Sequence, residues 1–173
     1  MKTLIMTAIT GLSLFTSAFA FGQQIPTCID RNTGRQVPVI TNAGQQNPAF
    51  STLDQRTGAP VIFINAPLLQ SLGLDSSPYT LIFIVEHECG HVNLGHLTTG
   101  PVSRKKTNQE ELAADCYAAQ AVRQMGFTPA ALQAVLADVI KLPKDPDHPA
   151  GTVRAKNAAA CFSRWADLTF YVL

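Results

Sequence analysis

The run Glu86-His87-Glu88-Cys89-Gly90-His91 closes an apolar stretch that begins at Tyr79, and it contains the pattern HExxH. A helix turns by about 100° per residue, so His87 and His91 lie about 40° apart on one face, with Glu88 on its flank. Two imidazoles so placed can grip one metal ion while a carboxylate stands beside it. Neutral imidazole nitrogens suit Zn²⁺, and a neighbouring Glu can take the proton of a water that the metal acidifies. A pattern this short also arises by chance, so its context matters. All four histidines of the chain fall in two segments, around 87–96 and at 148, and acidic residues able to supply a third ligand follow downstream.

The first twenty residues read as an address. Lys2 precedes an apolar run from Leu4 to Phe15, and Ala18-Phe19-Ala20 supplies the small-residue site at which a signal peptide is removed, with Phe21 as the new terminus. The run is too short to read as a membrane span. Removing residues 1–20 from the 173 leaves 153, enough for one domain with a real core, taken as 21–173. The chain carries 13 basic and 12 acidic side chains, and loss of Lys2 balances them. Such a balance gives no footing for nucleic acid or a charged membrane surface, and no stable membrane insertion is expected once the leader is removed. Cys28, Cys89, Cys116 and Cys161 make an even count in an exported chain, periplasmic or secreted, which favours disulfides. No two are spaced as CxxC, the competing metal-site arrangement.

Along the remaining chain, Pro26 to Ile40 reads as a loose hairpin turning at 30–34, and Ala59 to Asn65 as the most strand-like run. That strand is either a sheet edge, on which an extended peptide could pair, or an internal core strand. A short helix follows from Pro67 to Leu72. Ser76-Ser77-Pro78 starts the HExxH helix, expected to reach about His96 or Leu97 and to be buried on most sides. The stretch 98–109, with Arg104-Lys105-Lys106, reads as an exposed loop. Asn108 can cap a helix running to Met125, Thr128-Pro129 opens another to about Lys141, and a last one spans Ala150 to Trp165, ahead of a β-like tail from Leu168.

Zn²⁺ in a hydrolase takes three protein ligands and keeps a fourth place open. If the helix continues, His96 points about 140° away from His91, so it reads as a helix-end or outer partner and not a ligand. Glu111 fits better. It opens Glu111-Leu112-Ala113-Ala114-Asp115, in which Glu111 and Asp115 share a helix face and the alanines allow another helix to pack close. Asp115 can then orient a ligand imidazole through its other nitrogen. Glu110 is the competitor for the metal. Because Cys89 and Cys116 lie on the two helices that must converge, a Cys89–Cys116 bridge is expected, with Cys28 joined to Cys161.

At this point the chain resembles the gluzincins, zinc peptidases that add a downstream Glu to HExxH. The ExxAD block and Asp147-His148-Pro149 followed by Arg154 are similar to the CAAX prenyl protease and HtpX group, as a small exported member without membrane helices. The resemblance implies an α+β, zincin-like fold, mainly helical with a small N-terminal sheet, in which the HExxH and Glu-bearing helices converge on the metal. It also implies that His148 and Arg154 lie at the metal and assist the polarised substrate carbonyl. The function expected is hydrolysis of peptide or protein substrates by metal-activated water, with one Zn²⁺ per chain on His87, His91 and Glu111 and with Glu88 as general base. The alternatives are a non-catalytic metal-binding or protein-interaction module on a peptidase scaffold, and a zinc amidase acting on cell-wall peptide.

Overall fold

In a computed structural model the chain is described over residues 27–41, 44, 46–74, 77–97, 107–142, 144 and 148–168, with side chains to 164. The expected leader 1–20, the basic trio 104–106, Asp147 and the tail beyond 168 lie outside these residues. The described part is α+β, about half helical, with two small sheets. Strands β1 (Cys28–Asp30) and β2 (Arg35–Val37) form an antiparallel hairpin. Its turn is held by Asp30, whose carboxylate accepts from Asn32 N–H and Thr33 Oγ1. Pro38 ends the hairpin. Strand β3 (Val39–Thr41) then passes to a second sheet in the order β3-β5-β4, with β4 at Ala49–Leu53 and β5 at Pro60–Ile64. The run Ala59 to Asn65 is therefore the central strand and not an edge, parallel to β3 and antiparallel to β4. The edge that faces the helices is β4.

Helices α1 (Ala66–Ser71), α2 (Pro78–Asn93), α3 (Asn108–Gln124), α4 (Pro129–Val139) and α5 (Gly151–Leu168) follow. Helix α2 carries the HExxH run and starts where Ser77 Oγ accepts from Tyr79 N–H, with Pro78 in the first turn. It stops three residues short of His96, because Gly95 takes φ 73° and reverses the chain. Two apolar clusters meet across it. Phe83 belongs to one, with Val122, Val135, Leu136 and Phe162 of the other helices, while Val85, Cys89 and Val92 belong to the second, with Cys28, Val37, Ile62 and Ile64 of the strands. Burial on both sides explains why α2 is apolar nearly all round. Among the described residues no helix is long and apolar enough to cross a membrane.

Helix α3 packs against α2 at Gly90, where a Cβ would come within 3.1 Å of Ala114 Cα and of Tyr117 Cβ. The small residues of the ExxAD block thus bring the two helices together. The cap of α3 is Thr107 and not Asn108: Thr107 Oγ1 accepts from Glu110 N–H, and the Glu110 carboxylate accepts from Thr107 N–H at 2.7 Å. Capping holds Glu110 at the helix end and leaves Glu111 to turn inward.

The bridges are Cys28–Cys89 and Cys116–Cys161, with Cα atoms 5.6 and 5.3 Å apart, and they use all four cysteines. The expected Cys89–Cys116 and Cys28–Cys161 pairing is overturned. Its error is one of helix phase. Gly90 packs on Ala114 of α3, and Cys89, about 100° away, faces the strands, while Cys116 faces α5.

Candidate metal centre

His87 and His91 present their Nε2 atoms 3.1 Å apart. Glu111 closes the triangle, with Oε2 3.2 Å from His87 Nε2 and Oε1 3.3 Å from His91 Nε2. All three residues are buried, His91 and Glu111 to within 1 % of full burial. Among the described residues these three form a group able to hold a metal ion. A cation with bonds of about 2.0–2.1 Å sets neighbouring ligand atoms on a tetrahedron roughly 3.3 Å apart, close to all three edges. Calcium, with bonds of about 2.3–2.6 Å and a demand for oxygen, suits neither the spacing nor the two nitrogens.

The hydrogen-bond partners decide which lone pairs face the centre. Asp115 Oδ1 lies 2.9 Å from His87 Nδ1, and an ionised carboxylate only accepts, so Nδ1 carries the proton and Nε2 offers its lone pair. Arg154 gives two hydrogen bonds to the same carboxylate, Nε to Oδ2 at 2.9 Å and Nη2 to Oδ1 at 2.7 Å. Its approach of 3.3 Å to His87 Nδ1 is that of two donors converging on one oxygen. On the inner side, Glu111 Oε2 is fully buried, and His87 Nε2, 3.2 Å away, has no proton to give it once that proton sits on Nδ1. An ionised oxygen left unpaired at such depth is costly unless a cation meets it.

Electrostatics point the same way. Burial pushes the Glu111 carboxyl up, but the imidazoles of His87 and His91 beside it hold it far below the usual carboxylate range. Burial likewise raises Asp115, and His87 with Arg154 outweigh it, bringing the group down to about 2. Burial and the Arg154 charge lower His87, yet the hydrogen bonds to Asp115 and Glu111 prevail and raise it to about 9. The two acids therefore stay ionised and demand positive charge. A metal ion supplies it, and a proton on His87 is the substitute.

Glu88 stands outside the ligand triangle, 5 % exposed, and its Oε2 accepts from Ser51 Oγ of β4 at 2.8 Å. His148 reaches the centre from the open side, with Nε2 3.7 Å from Glu111 Oε2 and a side chain 41 % exposed. The structure thus gathers Glu88, Asp115, His148 and Arg154 around His87, His91 and Glu111, with Arg154 bonded to Asp115 and His148 beside Glu111. Glu110 is not among them. Sequence reasoning missed Ser51, which lies 37 residues before its partner. No apolar–polar alternation marks Ala49 to Leu53 as a strand. A recess lined by Leu69, Leu74, Phe83, Val139 and Leu142 opens beside His87, Glu88 and His148. Comparisons with protein-family models, curated proteins and solved structures find no match to this chain, so the functional reading rests on the chemistry of the site itself.

Proposed function

We propose that the chain is a zinc-dependent peptidase, acting as an endopeptidase on extended peptide segments, with the zincin-like convergence of α2 and α3 as its frame. The observation that carries this reading is a buried His-His-Glu triangle with edges near 3.3 Å and, beside it, a carboxylate that is not needed to hold the ion. A purely structural ion has no use for Glu88.

Zinc, when bound by His87, His91 and Glu111, supplies a Lewis acid that polarises a carbonyl and acidifies water. Glu88 takes the proton of the attacking water and returns it to the leaving amine. Ser51 donates to Glu88 Oε2 and so fixes the orientation of that carboxylate. His148 offers a donor to the developing oxyanion from the solvent side. Strand β4 is the edge of its sheet and carries Ser51, so an extended peptide adding to β4 would run past Glu88, with one apolar side chain in the adjoining recess.

The test is zinc analysis of purified protein paired with an unbiased peptide library that includes cell-wall peptides. Wild type should hold one zinc per chain and cleave. Glu88→Gln should keep zinc and fold while turnover falls roughly 10²–10⁴-fold. A zinc-loaded wild type that leaves the library intact would point to a non-catalytic binding module, and cleavage confined to cell-wall peptides would make it an amidase.

A further inference from the structure

Helix α2 ends in a reversal that brings a second histidine onto a ligand histidine. Leu94 caps the helix, and Gly95, at φ 73°, sits in the left-handed region that favours glycine. Two backbone bonds tie the reversal: Gly95 N–H donates to Val92 O at 3.3 Å, and His96 N–H donates to His91 O at 3.0 Å. These are the five-to-two and six-to-one bonds of a Schellman cap, which folds the residue after the glycine back over the residue three from the helix end. Such caps frequently hold a hydrophobic contact at this point. Here the two positions are His91 and His96, with ring centroids 5.1 Å apart and Nδ1 atoms 2.9 Å apart.

We propose that His96 is a positioning residue of the metal centre, accepting the Nδ1 proton of His91 and thereby fixing the tautomer and ring angle that aim Nε2 at the ion. The inference rests on the reading of His87, His91 and Glu111 as ligands. His91 Nε2 faces both other ligands, so it must offer a lone pair there and carry its proton on Nδ1. His91 is fully buried, and His96 Nδ1 stands 2.9 Å from its Nδ1, within hydrogen-bond distance. His96 then holds its own proton on Nε2. The two ligand imidazoles are thus anchored differently: His87 by a carboxylate from α3, and His91 by a neutral imidazole delivered by the cap of its own helix. A neutral acceptor orients the ring without adding a third negative charge to Glu111 and Asp115. Gly95 belongs to the device, because a side chain there strains the conformation that carries His96 back.

The experiment compares wild type, His96→Ala, His96→Asn and Gly95→Ala, each checked for folding by circular dichroism. Zinc affinity is read by competition with a chromophoric chelator, and the His91 tautomer by ¹⁵N NMR of the ion-free protein. Loss of such an outer partner costs about 10–100-fold in metal affinity, the fall expected for His96→Ala and, through displacement of His96, for Gly95→Ala. The Asn side-chain oxygen can stand near the place of Nδ1, so His96→Asn should recover affinity to within about threefold. The His91 proton should lie on Nδ1 in wild type and His96→Asn, and shift toward Nε2 in His96→Ala. Wild-type affinity in His96→Ala, or equal loss in the Ala and Asn variants, would overturn the role. A wild type that holds no zinc refutes the centre itself and this role with it, a result distinct from a zinc-binding wild type indifferent to residue 96.

Discussion

Arg154 is 8 % exposed and gives two hydrogen bonds to Asp115, whereas the His148 side chain is 41 % exposed and lies 3.7 Å from Glu111. Two residues that the family resemblance pairs at the substrate carbonyl thus line one recess with different partners and exposure, and their variants should fail differently. Arg154→Ala leaves the Asp115 carboxylate buried without its partner, a loss that costs about 3–5 kcal/mol in buried pairs. It should lower unfolding stability by that order and weaken zinc binding, because Asp115 then no longer holds His87 firmly. Lysine cannot restore the two-pronged contact, so Arg154→Lys should rescue little. His148→Ala should keep fold and zinc while kcat falls about a hundredfold with KM little changed, since the donor meets charge that develops in the transition state. Urea unfolding, zinc content and steady-state kinetics on the three variants decide the matter. A stable Arg154→Ala with full zinc affinity would remove the clamp, and a wild-type kcat in His148→Ala would remove the donor.

The elements that carry the site are stapled in pairs, β1 to α2 by Cys28–Cys89 and α3 to α5 by Cys116–Cys161. The bridges close sequence separations of 61 and 45 residues, for which the chain-entropy model gives about 4 kcal/mol each. The second bridge lies one residue from Asp115 and seven from Arg154, so Cys116→Ser/Cys161→Ser should lose up to about 4 kcal/mol in urea unfolding and also bind zinc more weakly. Non-reducing peptide mapping that joined Cys89 to Cys116 would undo this assignment. The true pairing was hidden because it depends on helix phase at a crossing, and the crossing point is known only once Gly90 is seen against Ala114. His87, Glu88 and His91 were legible because the helical period acts within one turn. Glu111 was legible as a face-mate of Asp115, but its release from capping depended on Thr107 and Glu110 taking that task, and both Thr107 and Asn108 are competent caps. Extending α2 through Gly95 set His96 on the wrong side. Ser51 and the central place of β5 come from strand pairing across long separations, which no local period encodes.

Helix α2 joins the strand core to the helical core, and His87, His91 and Glu111, the proposed metal ligands, tie α2 to α3. An ion held there stabilises the folded state by mass action, about 4 kcal/mol at free zinc a thousandfold above its dissociation constant. For a chain of this size each kcal/mol moves Tm by roughly 2–4 °C, so a chelator should lower Tm by about 8–16 °C under those conditions. The gap should also depend on pH, with a sign that His87 sets. In the ion-free protein His87 holds its proton to about pH 9, against 6.5 for the ordinary imidazole. That proton's contribution to stability is fully present below 6.5 and is lost as pH rises through 9. Zinc must displace it, so apparent affinity climbs until the proton has left, by up to tenfold or about 1.4 kcal/mol per pH unit. Glu86, which burial pushes up to about 7 against the pull of Arg31, loses its own proton at the lower end of this range, and a Glu86→Gln background removes that contribution. Scanning at fixed buffered free zinc, with matched chelated samples, should therefore show the Tm gap widening from pH 7 to 9 and levelling above it. A gap that stays flat across 7 to 9 would mean that no ligand proton competes with the ion, and that His87 is not the residue that surrenders one.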